Sequence, residues 1–162
     1  MMTIDEFVAT LSHRGPPLAP EEIDAFEREI GHTLPEDYRR FLSLCNGGFG
    51  GGRFWFVDAG VHHVGGLREE SSFSLRHARR VYQLDEPRIP RSLIWIMDDP
   101  FGNAICLGVS GIERDRVFFW DHEGEPDPEN WDGQAITADN VEMLAESFTD
   151  FVEGLEESDY GE

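Results

Sequence analysis

The sequence predicts an α+β fold, a single domain in which N-terminal helices and a C-terminal helix pack on a mostly antiparallel sheet of about four to six strands. Three observations carry this reading. Apolar residues recur at helical spacing early in the chain and again near its end. Between them lie short runs rich in β-branched and aromatic residues, bounded by Gly, Pro and Asp. The last three of those runs are joined by short connections, which suit an antiparallel meander and are too short for the crossovers of parallel strands.

The elements follow in order. Thr3 and Glu6 form a capping box ahead of Phe7, Val8 and Leu11, and Gly15-Pro16-Pro17 stops that helix. Pro20 opens a second helix, with Glu21 and Glu22 favourably placed against its dipole and Ile23, Phe26 and Ile30 on one face. A third starts at Pro35-Glu36-Asp37, presents Tyr38, Phe41, Leu42 and Cys45, and ends left-handed at Asn46-Gly47-Gly48. The glycine-rich stretch that follows, residues 47–52, reads as a flexible helix-to-sheet connection. Strands are expected at residues 54–57, 93–98, 104–109 and 116–121, with a helix over residues 73–84 between the first two. Residues 141–145 fit either a strand or a helical turn. Ser147 with Asp150 resembles an N-cap before a last helix carrying Phe148, Phe151, Val152 and Leu155. Residues 156–162 read as a frayed acidic tail, leaving one domain over 1–162 with its core at about 20–155.

The runs Leu93-Ile94-Trp95-Ile96-Met97 and Val117-Phe118-Phe119-Trp120 are continuously apolar, whereas a sheet with one wet face alternates. Cover on both faces is therefore expected, with an apolar face kept for a partner as the alternative. Phe26, Ile30, Tyr38, Phe41, Trp95, Ile105, Phe118, Phe148 and Phe151 are expected to share one core around a single sheet.

Composition narrows the function classes. The chain has 162 residues, is 40% hydrophobic and carries a formal charge of −20. Such a charge repels nucleic acid and anionic membranes and attracts basic partners. All 13 basic residues are Arg, so no site built on lysine exists, the Walker loop and the pyridoxal Schiff base included. Seventeen of the 33 acids, but only two arginines, fall from Glu113 onward, which makes the last third the acidic end. Arg76, Arg79 and Arg80 read as a solvated helix face answering nearby acids. The N-terminus has no basic region followed by an apolar run, and no apolar run can span a bilayer, so a soluble, cytoplasmic protein is expected. Cys45 and Cys106, each among apolar neighbours, read as buried thiols, with a pairing left open.

Chemical motifs are sparse. There is no Gly-x-Ser-x-Gly elbow and no i, i+4 histidine pair of a zinc hydrolase. His62 and His63, if extended, point to opposite faces, so a loop or edge pair is favoured over a metal site. In a meander the strands ending at Asp98 and Asp121 reach the same edge of the sheet. That places Asp98, Asp99, Asp121, His122 and Glu123 along one rim, a candidate contact surface for a cationic partner. No catalytic residue, metal ligand or cofactor is assigned.

Four stretches carry a resemblance. Leu34-Pro35-Glu36-Asp37-Tyr38-Arg39-Arg40-Phe41-Leu42, followed by Asn46-Gly47-Gly48, resembles the N-terminal signature of the SUKH superfamily (Smi/Knr-type). Ile89-Pro90 with the following strand and the 99–103 turn resembles its central hairpin. Residues 117–123, ending in Asp121-His122-Glu123, are similar to its next strand, and residues 145–152 to its closing segment. The match spans about Pro20 to Leu155. One departure is Gly102-Asn103, after an extra Pro100, where the family often has Gly-Asp; this puts any role for that turn acid in question.

The resemblance implies a mixed α/β domain without enzymatic activity that acts by binding proteins. In the bacterial branch it implies an immunity protein that neutralises a cognate polymorphic or contact-dependent toxin, frequently a nuclease. In the eukaryotic branch it implies a regulatory scaffold. The acidic charge fits a basic toxin partner. From the residues alone the alternative is a metal-assisted hydrolase using Asp98, Asp99, Asp121 and His122.

Overall fold

The computed structural model describes residues 1–68, 73–124 and 140–158. Among the described residues five α-helices appear in the expected order: α1 (Ile4–Thr10), α2 (Pro20–Ile30), α3 (Glu36–Leu44), α4 (Leu75–Arg79) and α5 (Phe148–Glu153). Their starts are set by local chemistry. Thr3 Oγ1 accepts the Glu6 amide at 3.1 Å, and Ser147 Oγ the Asp150 amide at 3.0 Å. At α2 the Glu22 carboxylate accepts the Ala19 amide at 2.9 Å.

The main sheet has six strands in the order β1-β4-β5-β6-β7-β8, every neighbouring pair antiparallel. These are β1 (Gly48–Phe49), β4 (His63–Val64), β5 (Leu93–Asp98), β6 (Ala104–Gly108), β7 (Val117–Trp120) and β8 (Val141–Ala145). The meander β5-β6-β7 is as predicted, and residues 141–145 resolve as its fourth strand. Every residue from Leu93 to Met97 is buried, and all of β6. Since successive side chains face opposite sides, both faces are covered. Tyr82 meets the Trp120 ring edge-on at 5.5 Å, and among α1, α3 and α5 Phe7 stacks on Phe41 while Phe148 meets Phe41 tilted at 4.9 Å.

Four sequence expectations need correction. The core is continuous and contains the predicted residues, with Ile30 at its margin, but it is not built on a single sheet. A second sheet, β3-β2-β9, joins β2 (Phe54–Phe56), β3 (Ala59–Gly60) and β9 (Glu156–Glu157). Glu156 and Glu157 therefore pair with Trp55 and Phe54 rather than fraying, and Arg53 Nε meets Glu157 at 2.8 Å. Pairing between segments this far apart in the chain leaves no local sequence signal. Residues 159–162 of the expected tail lie outside the described residues. The glycine-rich connection is not merely flexible, because Gly48–Phe49 forms β1 on β4. The helix expected over 73–84 is α-helical only to Arg79 and continues as a π-helical turn, Arg80–Leu84. That wider turn lets Gln83 Nε2 donate to the carbonyls of Pro90 at 2.9 Å and Leu93 at 2.7 Å, satisfying the entry to β5.

The 34–48 signature is a set of ties. Asp37 Oδ2 accepts both the amide and the hydroxyl of Thr149, at 2.8 and 2.9 Å, which fixes α3 to α5. Arg39 bridges back to α2 through Asp24 at 2.7 Å and through Glu27. Buried Asn46 accepts the Leu67 amide at 2.7 Å. There the backbones crowd: a Cβ on Gly66 would lie 2.4 Å from the Gly47 nitrogen, so only glycine fits.

Candidate functional site

Strand pairing brings the two acidic strand ends to one edge of the sheet. Ala104 sits between Asp98 on β5 and Trp120 on β7 in the register, so Asp98 and Asp121 leave the sheet on the same side. The individual side chains then take different roles. Asp99 is buried, 2% exposed, and Asp121 is half-buried, whereas His122 and Glu123 are exposed.

Asp99 builds the β5–β6 turn. Its Oδ1 accepts the amides of Phe101 and Asn103, both at 2.8 Å, and its Oδ2 accepts Asn103 Nδ2 at 3.0 Å. Asn103 Oδ1 in turn accepts the His122 amide at 3.1 Å. The departure from Gly-Asp has a physical reason here. An amide at 103 donates to one partner and accepts from another, whereas a carboxylate there would face Asp99 with no proton to give. Gly102, with φ 87, supplies the left-handed residue the turn needs.

The turn holds Phe101 outward, 67% exposed. His122 Nε2 lies 3.0 Å from the Phe101 carbonyl oxygen, and the Phe101 ring is 6.3 Å from that of Trp55. Trp55 is fixed by its indole N–H, which donates to the Gly52 carbonyl at 2.6 Å. Trp55, Val57, Asp58, Phe101, Glu156 and Glu157 line a shallow depression of about 700 Å³. The acidic strand ends thus run into an aromatic-centred, acid-rimmed surface. Sequence reasoning named Asp98, Asp99, Asp121, His122 and Glu123, and none of the residues that line this depression. The available signal was an aromatic residue between Pro100 and Gly102, a position turns expose.

Asp98 turns toward a different neighbourhood. Its Oδ1 accepts the His63 amide at 2.7 Å, and its carboxylate lies 3.1 Å from His63 Nδ1 and 3.5 Å from His62 Nδ1. His62 and His63 do not point apart as an extended pair would, because β4 begins only at His63 and His62 belongs to the preceding connection. Among the described residues, the His, Cys, Asp and Glu side chains whose ligand atoms converge as a group of three are His62, His63 and Asp98. The set Asp98, Asp99, Asp121 and His122 is not gathered around one point: Asp98 faces the histidines, Asp99 caps the turn, and His122 leans on the Phe101 carbonyl.

Neither cysteine is poised for chemistry. Both are buried and free. Burial pushes the Cys45 thiol up to about 11, although Arg14 and Arg68 pull it partly back, and burial alone raises Cys106 further. Among the described residues no helix is long and apolar enough to cross a membrane.

These features define an α+β domain on a six-stranded antiparallel sheet, with an acidic, aromatic surface at one end of its meander. The chain matches the SMI1 / KNR4 family (SUKH-1) over residues 17–154, and it belongs to that family. It is 27% identical over 161 residues to the SPbeta prophage-derived uncharacterized protein YokK of Bacillus subtilis (strain 168), a match covering 83% of this chain and 73% of that protein.

Proposed function

We propose that this chain is an immunity-type protein that acts without catalysis, by binding and neutralising a cognate toxin domain. Family membership is consistent with an immunity-type role. The observation that carries the reading is the continuous surface from Asp121, His122 and Glu123 through Phe101 to Trp55, with Asp58 and Glu156 at its rim. An exposed Phe101 beside a half-buried Trp55, at the centre of an acid-rimmed patch, has the composition of a protein interface, and the charge of −20 selects a basic partner. A toxin nuclease, which must present basic surface to nucleic acid, is the partner class that fits best.

Within this reading Asp121, His122 and Glu123 contact the partner, while Asp98 and Asp99 shape the edge from behind. The test is co-expression with the product of the neighbouring gene. Survival and a stable complex are expected for the parent chain, and loss of both for a Phe101→Ala, Glu123→Arg variant that keeps the parent's circular dichroism. A folded variant that still protects moves the interface elsewhere, and a parent chain that neither protects nor binds overturns the immunity reading.

A further inference from the structure

Inside the six-stranded sheet, His62, His63 and Asp98 converge from the neighbouring strands β4 and β5 and the connection before β4. We propose that these three side chains form a binding site for a divalent transition metal of the zinc class, with one coordination position left open to solvent. The inference is independent of the toxin-binding reading.

Three features carry it. The first is spacing. In a tetrahedral site with metal–nitrogen and metal–oxygen distances of about 2.0–2.2 Å, neighbouring ligand atoms are about 3.3 Å apart. Asp98 Oδ1 lies 3.2 Å from His63 Nδ1 and 3.5 Å from His62 Nδ1, and one ligand atom from each of the three residues falls within 4.8 Å of the others. The second is the donor set. Two imidazoles and one carboxylate suit zinc and its first-row neighbours rather than calcium or magnesium, which prefer all-oxygen shells.

The third is positioning. Asp98 is held by the His63 amide on Oδ1, and both of its oxygens stay within reach of the His63 ring while Oδ1 also faces His62. The His63 ring is stacked on Phe73 at 3.6 Å, and Phe49 contacts both imidazoles, at 5.1 and 5.3 Å. Ligands fixed by packing and by such outer hydrogen bonds bind metal without first losing side-chain freedom. The side chains of His62, His63 and Asp98 remain 29, 25 and 18% exposed, so an ion can enter and keep a water.

The strand bulge makes this possible. Strict alternation from Trp95 would put Asp98 on the opposite face. The register shift between Trp95 and Met97 sets Asp98 opposite Ala104, on the Trp95 face.

The experiment uses the full chain, freed of metal with a chelator, and two probes. Zinc is titrated by calorimetry, and cobalt(II) is followed by its visible absorption, which is intense only at four or five coordination. One zinc per chain is expected, with a cobalt spectrum of low coordination number. His62→Ala, His63→Ala and Asp98→Asn should each weaken zinc binding by about tenfold or more. His32→Ala, on the α2–α3 connection, should leave it unchanged. His62→Ala is the decisive single variant, because it removes a ring while keeping the backbone bond from His62 N to Asp98 O. Absence of saturable one-to-one uptake, or uptake that survives the His62→Ala, His63→Ala double variant, overturns the proposal.

Discussion

Val57 shows how much a single residue's backbone can cost. It sits in the β2–β3 turn with φ 53, a region β-branched residues avoid, and its side chain is 80% exposed and so recovers little by burial. Val57→Gly removes that strain. A gain of about 1 kcal/mol is expected in urea denaturation, with no change in slope. The two cysteines give a second residue-scale outcome. The Cys45 pKa is raised by burial from the ordinary 9.0 to about 11, so the folded chain keeps the neutral thiol where the unfolded chain ionises. This contribution is fully present below pH 9 and is lost as pH rises from about 9 to about 11. Cys106 acts in the same direction. Stability measured across that window should fall, and a Cys45→Ala, Cys106→Ala variant should fall less steeply even though it starts lower.

At the scale of elements the β5–β6 turn is the critical joint. It carries Phe101 outward, and through Asn103 it links β5 to the His122 turn. Its centre is one buried carboxylate with three donors on it. Asp99→Ala leaves two amides without their acceptor and is expected to cost roughly 3 kcal/mol. Asp99→Asn keeps a carbonyl acceptor and should lose clearly less; equal losses would show that the turn is held by something else. The two short sheets divide the work. The six-stranded sheet supplies rigidity from strands buried on both faces, and the three-stranded one ties the chain's late segment to its middle. That second sheet sets Trp55 beside Phe101, so the aromatic centre of the proposed interface depends on a contact between elements far apart in sequence.

For the molecule as a whole, charge is the dominant property. A body of −20 meeting a basic partner associates by steering, and exposed charges are screened beyond about 8–10 Å at 0.1–0.15 M salt. Association with a cognate basic toxin should therefore slow steeply between low and physiological ionic strength, with dissociation changing much less. Surface plasmon resonance across a salt series checks this. An on-rate indifferent to salt would transfer the binding energy to Phe101 and Trp55 and remove electrostatics from the account.

The sequence by itself determined the helix starts, the order of the meander and the core. Capping residues such as Thr3 and Ser147, apolar spacing such as Ile23, Phe26 and Ile30, and the uninterrupted run from Leu93 to Met97 all act locally, within one or two turns of chain. The four motifs that resembled the SUKH superfamily, spanning about Pro20 to Leu155, anticipated a family match that covers residues 17–154. Tertiary structure alone decided which side chains meet. Two-residue strands such as Glu156–Glu157 have no periodicity to read and exist only because Phe54 and Trp55 are there to pair with them. Asp99 reads as one more strand-end acid until the turn folds its own amides onto it. His62 and His63 acquire a common partner because a bulge in β5 reverses the face of Asp98, and a one-residue shift in register is invisible in a strand that is apolar at every position from Leu93 to Met97.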